Sequence, residues 1–254
     1  MPQRFVSFIL LFLLAFGVAA CLGDDDDSDD DNENGDSGAS PVTEMTAEET
    51  LEAARETWAA TNSAHFTLEV EGDAFLDDDE QIRLVSAEGD IKRPGSVRAS
   101  AQVDAQISVI DISLVAVDGE IFITNLLSGN WENAPDDFTY DPSVMFSDTD
   151  GIGPIMTDLQ NPELDGTEDV DGQQARKVTG VVAADRVADI TAGSIQGEEI
   201  KVTLWTAVEG ARLLRVVLTE PDGVRDSPAT WTLGLTDHDK EIEIDAPPAP
   251  TRTG

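Results

Sequence analysis

From Phe66 onward, apolar and polar side chains alternate over short stretches, and each stretch reads as a strand with one apolar face. Phe66, Leu68 and Val70 alternate with Thr67, Glu69 and Glu71; Ile82 and Leu84 flank Arg83; Ala99, Ala101 and Val103 alternate with Ser100, Gln102 and Asp104. Ile112, Leu114 and Ala116 lead to Asp118-Gly119, a two-residue turn signal, after which Ile121 and Ile123 resume the alternation. That order predicts a hairpin. Further strands are expected at 175–182, 200–207, 213–220 and 230–244, with Asp171-Gly172 and Asp222-Gly223 as turns. Roughly ten such strands predict one large antiparallel sheet, curled because a sheet of that size rarely stays flat.

The period changes in three places. Thr46-Ala47-Glu48-Glu49 is a capping box, and Ala47, Leu51, Ala54 and Trp58 then recur at helical spacing, which predicts a helix of about 16 residues with one apolar stripe. Pro142 opens a short helix bearing Val144, Met145 and Phe146; a second runs over 153–159 with Ile155, Met156 and Leu159; a third is expected at 183–190 with Val187 and Ile190. The fold class is therefore α+β, a curled antiparallel sheet whose concave face is covered by short helices. The space between is either a packed core or a cavity. Small inward residues (Ala99, Ala101, Ala105, Ala116) leave room, but ordinary sheet cores also mix sizes.

The N-terminus carries a different pattern. A positive end with Arg4 precedes an apolar run from Phe5 to Phe16 and then Val18-Ala19-Ala20-Cys21, the layout of a secretory signal that ends in a lipobox. As a helix, the stretch from Phe5 to Ala20 would be about 24 Å long against a hydrocarbon core of roughly 30 Å, so cleavage is expected between Ala20 and Cys21 rather than a retained span. Cys21, the only cysteine, is the expected lipidation site. Two acyl chains hold stably where one holds reversibly. The expected organisation is a signal peptide over 1–20, a lipidated and disordered acidic tether over 21–45, one domain over 46–247 and a disordered tail over 248–254.

Charge sharpens this. The net charge is -37, and only ten of the 52 acids and one of the 15 bases precede Thr46, so the remainder carries -28. Nucleic acid is excluded as a partner, as is direct docking on acidic lipid heads, because both need clustered Lys and Arg. The run Asp24 to Asp36 has acids and no base, which keeps it extended. Asp30-x-Asn32-x-Asn34-Gly35 begins like a calcium loop but places Pro41 where a bidentate Glu is needed. With one cysteine, no internal disulfide is available and the domain relies on its apolar core.

Catalytic and metal signatures are absent from the sequence, so neither an enzyme nor a cofactor is expected. His65 and His238 belong to no metal-ligand spacing or nucleophile elbow and read as surface residues; Gly151-Ile152-Gly153 lacks the Lys of a phosphate loop.

Three stretches carry a resemblance: 115–122 (Val-Ala-Val-Asp-Gly-Glu-Ile-Phe), Tyr140-Asp141-Pro142-Ser143-Val144 with Gly151-Ile152 downstream, and Arg176-Lys177-Val178-Thr179-Gly180 followed by Ala183-Ala184. In this order, and from about Thr46 to Pro247, the chain resembles the mycobacterial LppX/LprA/LprF/LprG lipoprotein family. The resemblance implies a half-open antiparallel barrel, similar to the LolA/LolB carriers, with an apolar cavity for acyl chains of a lipid or glycolipid. It also implies a lipid anchor on the extracytoplasmic face of the cell membrane and an envelope transporter as a partner. A filled sheet acting as an envelope scaffold is the alternative. The candidate lipid contacts are Phe66, Leu68, Val70, Ile82, Leu84, Ile112, Leu114, Ala116, Ile121 and Ile123 on strands, and Met145, Ile152, Ile155, Met156 and Leu159 on the roof. Ala116 is the position expected to block the cavity when enlarged.

Overall fold

The computed structural model describes residues 45–77, 79–106, 108–125, 128–135, 138 and 140–248. The expected signal, the Ala20/Cys21 cleavage and lipidation site, the tether up to residue 44 and most of the tail lie outside them.

The first helix forms as its cap dictates. Thr46 N–H donates to Glu49 Oε2 at 2.9 Å and Glu49 N–H donates to Thr46 Oγ1 at 3.2 Å, so two otherwise orphaned donors are satisfied at the start of α1, Ala47–Ala60. Its stripe of Ala47, Leu51, Ala54 and Trp58 is buried. At the other end the Arg93 guanidinium donates to the carbonyls of Thr61 (2.8 Å), Phe146 (3.1 Å) and Trp58 (3.3 Å) and lies 4.4 Å from the centre of the Phe146 ring. One side chain thus ties the end of α1 to the 3₁₀ helix Pro142–Phe146.

Eleven strands form one antiparallel sheet: β1 Ser63–Glu71, β2 Arg83–Lys92, β3 Ser96–Asp104, β4 Val109–Val117, β5 Glu120–Thr124, β6 Trp131–Asn133, β7 Gln160–Val170, β8 Gln173–Ala183, β9 Glu199–Ala207, β10 Leu213–Thr219 and β11 Thr230–Thr236. Their order is β6-β5-β4-β3-β2-β1-β11-β10-β9-β8-β7. Two meanders therefore meet at the β1–β11 seam, and the sheet stays open between β6 and β7. The link from β6 to β7 carries the 3₁₀ helix and α2, Ile152–Asp158; α3, Asp185–Ala188, follows β8.

Two of the three expected turns form as hairpin turns, whereas Asp222-Gly223 lies in the longer connection from β10 to β11, where only Gly223 of the two has a positive φ, 85°. Asp118 and Gly119 have φ of 54° and 79°, and Asp171 and Gly172 have 51° and 82°, the paired positive values of the two-residue hairpin turns that join β4 to β5 and β7 to β8. Other boundaries differ from the pattern. The last strand stops at Thr236 instead of 244, because Asp237 and Asp239 take positive φ and the Asp239 carboxylate accepts the Asn62 N–H at 2.8 Å. The third helix is shorter than 183–190 because Ala183 belongs to β8. Ala105 lies past the end of β3 rather than on its inward face.

Strand β7 has no apolar alternation because it is an edge strand, bent by two register shifts and rich in acids. It is held from the face opposite the helices. There Val170 packs with Ala175, Trp205, Ala207 and Leu214, and the Trp205 indole N–H donates to Glu168.

The connection from β10 to β11 is organised by one buried carboxylate. Glu220 accepts the backbone N–H of Gln196 (2.6 Å) and Ala229 (2.7 Å) and pairs with Arg225 at 2.7 Å, its side chain fully buried. Removing it leaves two amides without their acceptor and Arg225 with the Ser194 carbonyl but no counter-ion. Glu220→Ala is expected to destabilise the domain by about 3–5 kcal/mol, measured as the shift of the urea midpoint.

Candidate functional site

Antiparallel register lines up one residue of each strand with the next, so the inner face can be read in rows across the sheet. One row runs Leu235, Phe66, Gly89, Ala99, Leu114, Ile123. The next runs Val216, Leu233, Leu68, Ala87, Ala101, Ile112. In both, the positions on β2 and β3 carry a methyl group or nothing. A cavity of about 480 Å³ lies over this low floor, lined by residues of β1–β5, β10 and β11 and by none of β7–β9.

The roof is the chain between β6 and β7. The Asp141 carboxylate accepts Ser143 N–H at 2.9 Å and starts the 3₁₀ helix at Pro142, so Tyr140 and Met145 are held over the floor. Gly151 lets that helix meet α2, since a Cβ there would stand 2.6 Å from the Ser147 carbonyl oxygen. Ile152 from α2 and Ile190, Thr191 and Ala192 after α3 complete the roof.

Nine of the fifteen apolar candidates line this cavity: Phe66, Leu68, Ile82, Leu84, Ile112, Leu114, Ile123, Met145 and Ile152. Six do not, and for two of them, Ala116 and Ile121, register gives the reason. Ala116 and Ile121 belong to the adjacent row with Ala64, Ile91 and Val97, which closes one end of the cavity. Val70 lies a row beyond Leu68, opposite Trp231, and is buried. Ile155, Met156 and Leu159 are buried in the main core, where Leu159 sits against Gly180 of β8. Ala116 is thus not the position at which to block the cavity; Ala99 and Ala101 are.

Several lining residues carried no usable signal in the sequence. Tyr140 and Phe138 sit in irregular chain, where no period applies. Val216, Leu218, Trp231 and Leu233 alternate visibly on β10 and β11 but line the cavity only because β11 pairs with β1.

A second depression, about 530 Å³, lies between α1, the 3₁₀ helix and α2, where Arg55, Arg93 and Arg186 meet Trp58 and Phe146. Its arginines are already engaged: Arg55 with Glu52, Arg186 with Asp158 at 2.7 Å, and Arg93 with three carbonyls. Among the described residues no three His, Cys, Asp or Glu are grouped to hold a metal ion.

Both histidines are half-buried and partnered rather than free on the surface. His65 Nδ1 lies 2.9 Å from Asp90, whose other oxygen takes Arg98. Burial alone would raise the Asp90 carboxyl, and its hydrogen bonds to His65 and Arg98 outweigh that and hold it low. Burial pushes the His238 imidazole down, against the opposing effect of its 2.9 Å contact to the Leu213 carbonyl.

Comparison with known proteins follows the same outline. The LppX_LprAFG lipoprotein family profile matches residues 46–244. Lipoprotein LprA of Mycobacterium tuberculosis is 24% identical over 84% of this chain and 88% of its own length. The lipoarabinomannan carrier protein LprG of Mycolicibacterium hassiacum is 26% identical over 84% of this chain and 92% of its own. The crystal structure of LprF from Mycobacterium bovis superposes with a TM-score of 0.63 at 19% identity, covering 79% of this chain and 96% of that one.

Tyr140 is the chain's single tyrosine, and burial, with a smaller contribution from Asp141, pushes its phenol up to about 12. Folding holds the neutral form, so the stability linked to this group is complete below the ordinary value near 10 and is lost as pH rises from there through about 12. Ultraviolet titration of the native protein is expected to show phenolate appearing near pH 12, moving to about 10 in urea.

Proposed function

Because the chain belongs to the LppX_LprAFG lipoprotein family, we propose that it binds the acyl chains of a lipid or glycolipid in the cavity over β1–β5 and carries or presents them at the cell envelope. The observation that supports this most directly is the floor of Ala87, Ala99 and Ala101 beneath a lining that holds no charged side chain among the described residues. Water in such a space finds few partners, whereas an acyl chain leaving a bilayer gains about 0.8 kcal/mol for each CH₂ it keeps from water. A relative named a lipoarabinomannan carrier protein supports a ligand whose acyl chains need shelter while its sugars do not.

The anchor belongs to the same reading. Cys21, acylated after cleavage behind Ala20, holds the domain on the extracytoplasmic face of the membrane, and the acidic tether gives it a reach of up to about 80 Å. That distance lets the cavity mouth meet the bilayer or an envelope transporter. No helix of the described residues is long and apolar enough to cross a membrane.

Native mass spectrometry of protein purified from a lipid-containing host is expected to show adducts of lipid mass. Ala101→Trp, which projects into the cavity from its floor, is expected to remove most of that adduct while leaving the urea midpoint within about 1 kcal/mol. A lipid-free wild type would instead favour the filled scaffold. Cys21→Ser is expected to release the protein to the medium or leave the signal uncut; full membrane retention after cleavage would refute the lipid anchor.

A further inference from the structure

The cavity lining is apolar but not featureless. Three of its side chains carry a hydroxyl. Thr124 Oγ1 accepts the Ser113 N–H at 2.9 Å, and Thr191 Oγ1 donates to the Val187 carbonyl at 2.8 Å. The Tyr140 hydroxyl has no hydrogen-bond partner among the described residues. A second lining residue, Trp231, is 6% exposed and its buried indole Nε1–H is also unpartnered. Both groups can donate, and among the described residues no charged side chain lines the space. The described lining therefore offers spare donors and no counter-ion for an anion.

We infer that Tyr140 is a specificity-determining residue: its hydroxyl donates to a neutral acceptor oxygen, the ester carbonyl of an acylated ligand, so that the cavity selects neutral acyl esters over bare hydrocarbon and over ionised fatty acids. Its position supports the role. Tyr140 directly precedes the Asp141 cap and Pro142, so the phenol is fixed on the roof at the start of a rigid turn. The Asp141 carboxylate beside it repels an anionic head, and the phenol stays protonated over the physiological range. A buried donor facing a ligand without an acceptor would remain unsatisfied, which is how a polar group in an apolar pocket discriminates.

This inference rests on the cavity being a lipid site, and the test separates the two. The delipidated full-length protein is challenged with methyl laurate, tridecane and laurate at pH 8, each competing against 1-aminoanthracene fluorescence. Methyl laurate is expected to bind about fivefold more tightly than tridecane, the size of one neutral hydrogen bond, and laurate more weakly than the ester. Tyr140→Phe is expected to abolish the preference for ester over alkane while leaving tridecane affinity within about twofold. Equal affinity of ester and alkane in the wild type, or a preference that survives Tyr140→Phe, would overturn the role of Tyr140 and leave the lipid cavity standing. Failure of all three ligands to bind would overturn both.

Discussion

The structure depends on an absence of side-chain volume at three neighbouring inward positions, Ala87, Ala99 and Ala101, on β2 and β3. The inner face of a sheet is normally filled to the density of an organic crystal. Here one half obeys that rule: Val178, Val182, Ile200, Val202 and Leu204 meet the stripe of α1 and the inward residues of α2, and all are buried. The other half holds a void. The void is open at its mouth, so water can enter it, but its apolar lining offers that water few partners, and an apolar occupant that bound only the folded chain would add to its stability.

Such a void survives only where the frame around it is over-determined. The β1–β11 seam joins two local meanders, so the strands that floor the cavity are paired on both sides. Arg93 holds the roof helix to the end of α1 through three carbonyls, and Glu220 holds the loop between β10 and β11 through three donors. Both devices use charged groups on buried or half-buried backbone, where an alternative arrangement would leave donors or acceptors unsatisfied.

Much of this was legible in the sequence, within a physical limit. Alternation identifies the face on which a residue lies, and that is why Phe66, Leu68, Ile112, Leu114 and Ile123 fall together. It does not identify the row. Ala116 and Ile121 share the parity of the lining residues yet lie one row away, because row is fixed by pairing with residues distant in the chain. Helical period likewise marks Ile155, Met156 and Leu159 as apolar without saying whether they face core or void. Strand β7 has no period because an edge strand buries little, and Tyr140 has none because it lies in irregular chain.

The acidity of the domain and the neutrality of its cavity are two sides of one arrangement. Several of the bases are committed to structure: Arg225 to Glu220, Arg186 to Asp158, Arg83 to Asp104, Arg98 to Asp90, and Arg93 to carbonyls. Even the depression where Arg55, Arg93 and Arg186 converge presents cations that already have partners. An anionic headgroup would meet a surface of net negative charge, and among the described residues lining the cavity it would meet no cation. In the proposed carrier, discrimination among ligands would then come from chain volume against the alanine floor and from the few polar contacts on the roof. Headgroup chemistry would be left to the solvent outside, so one cavity could accept ligands that share chains and linkage while differing in their headgroups.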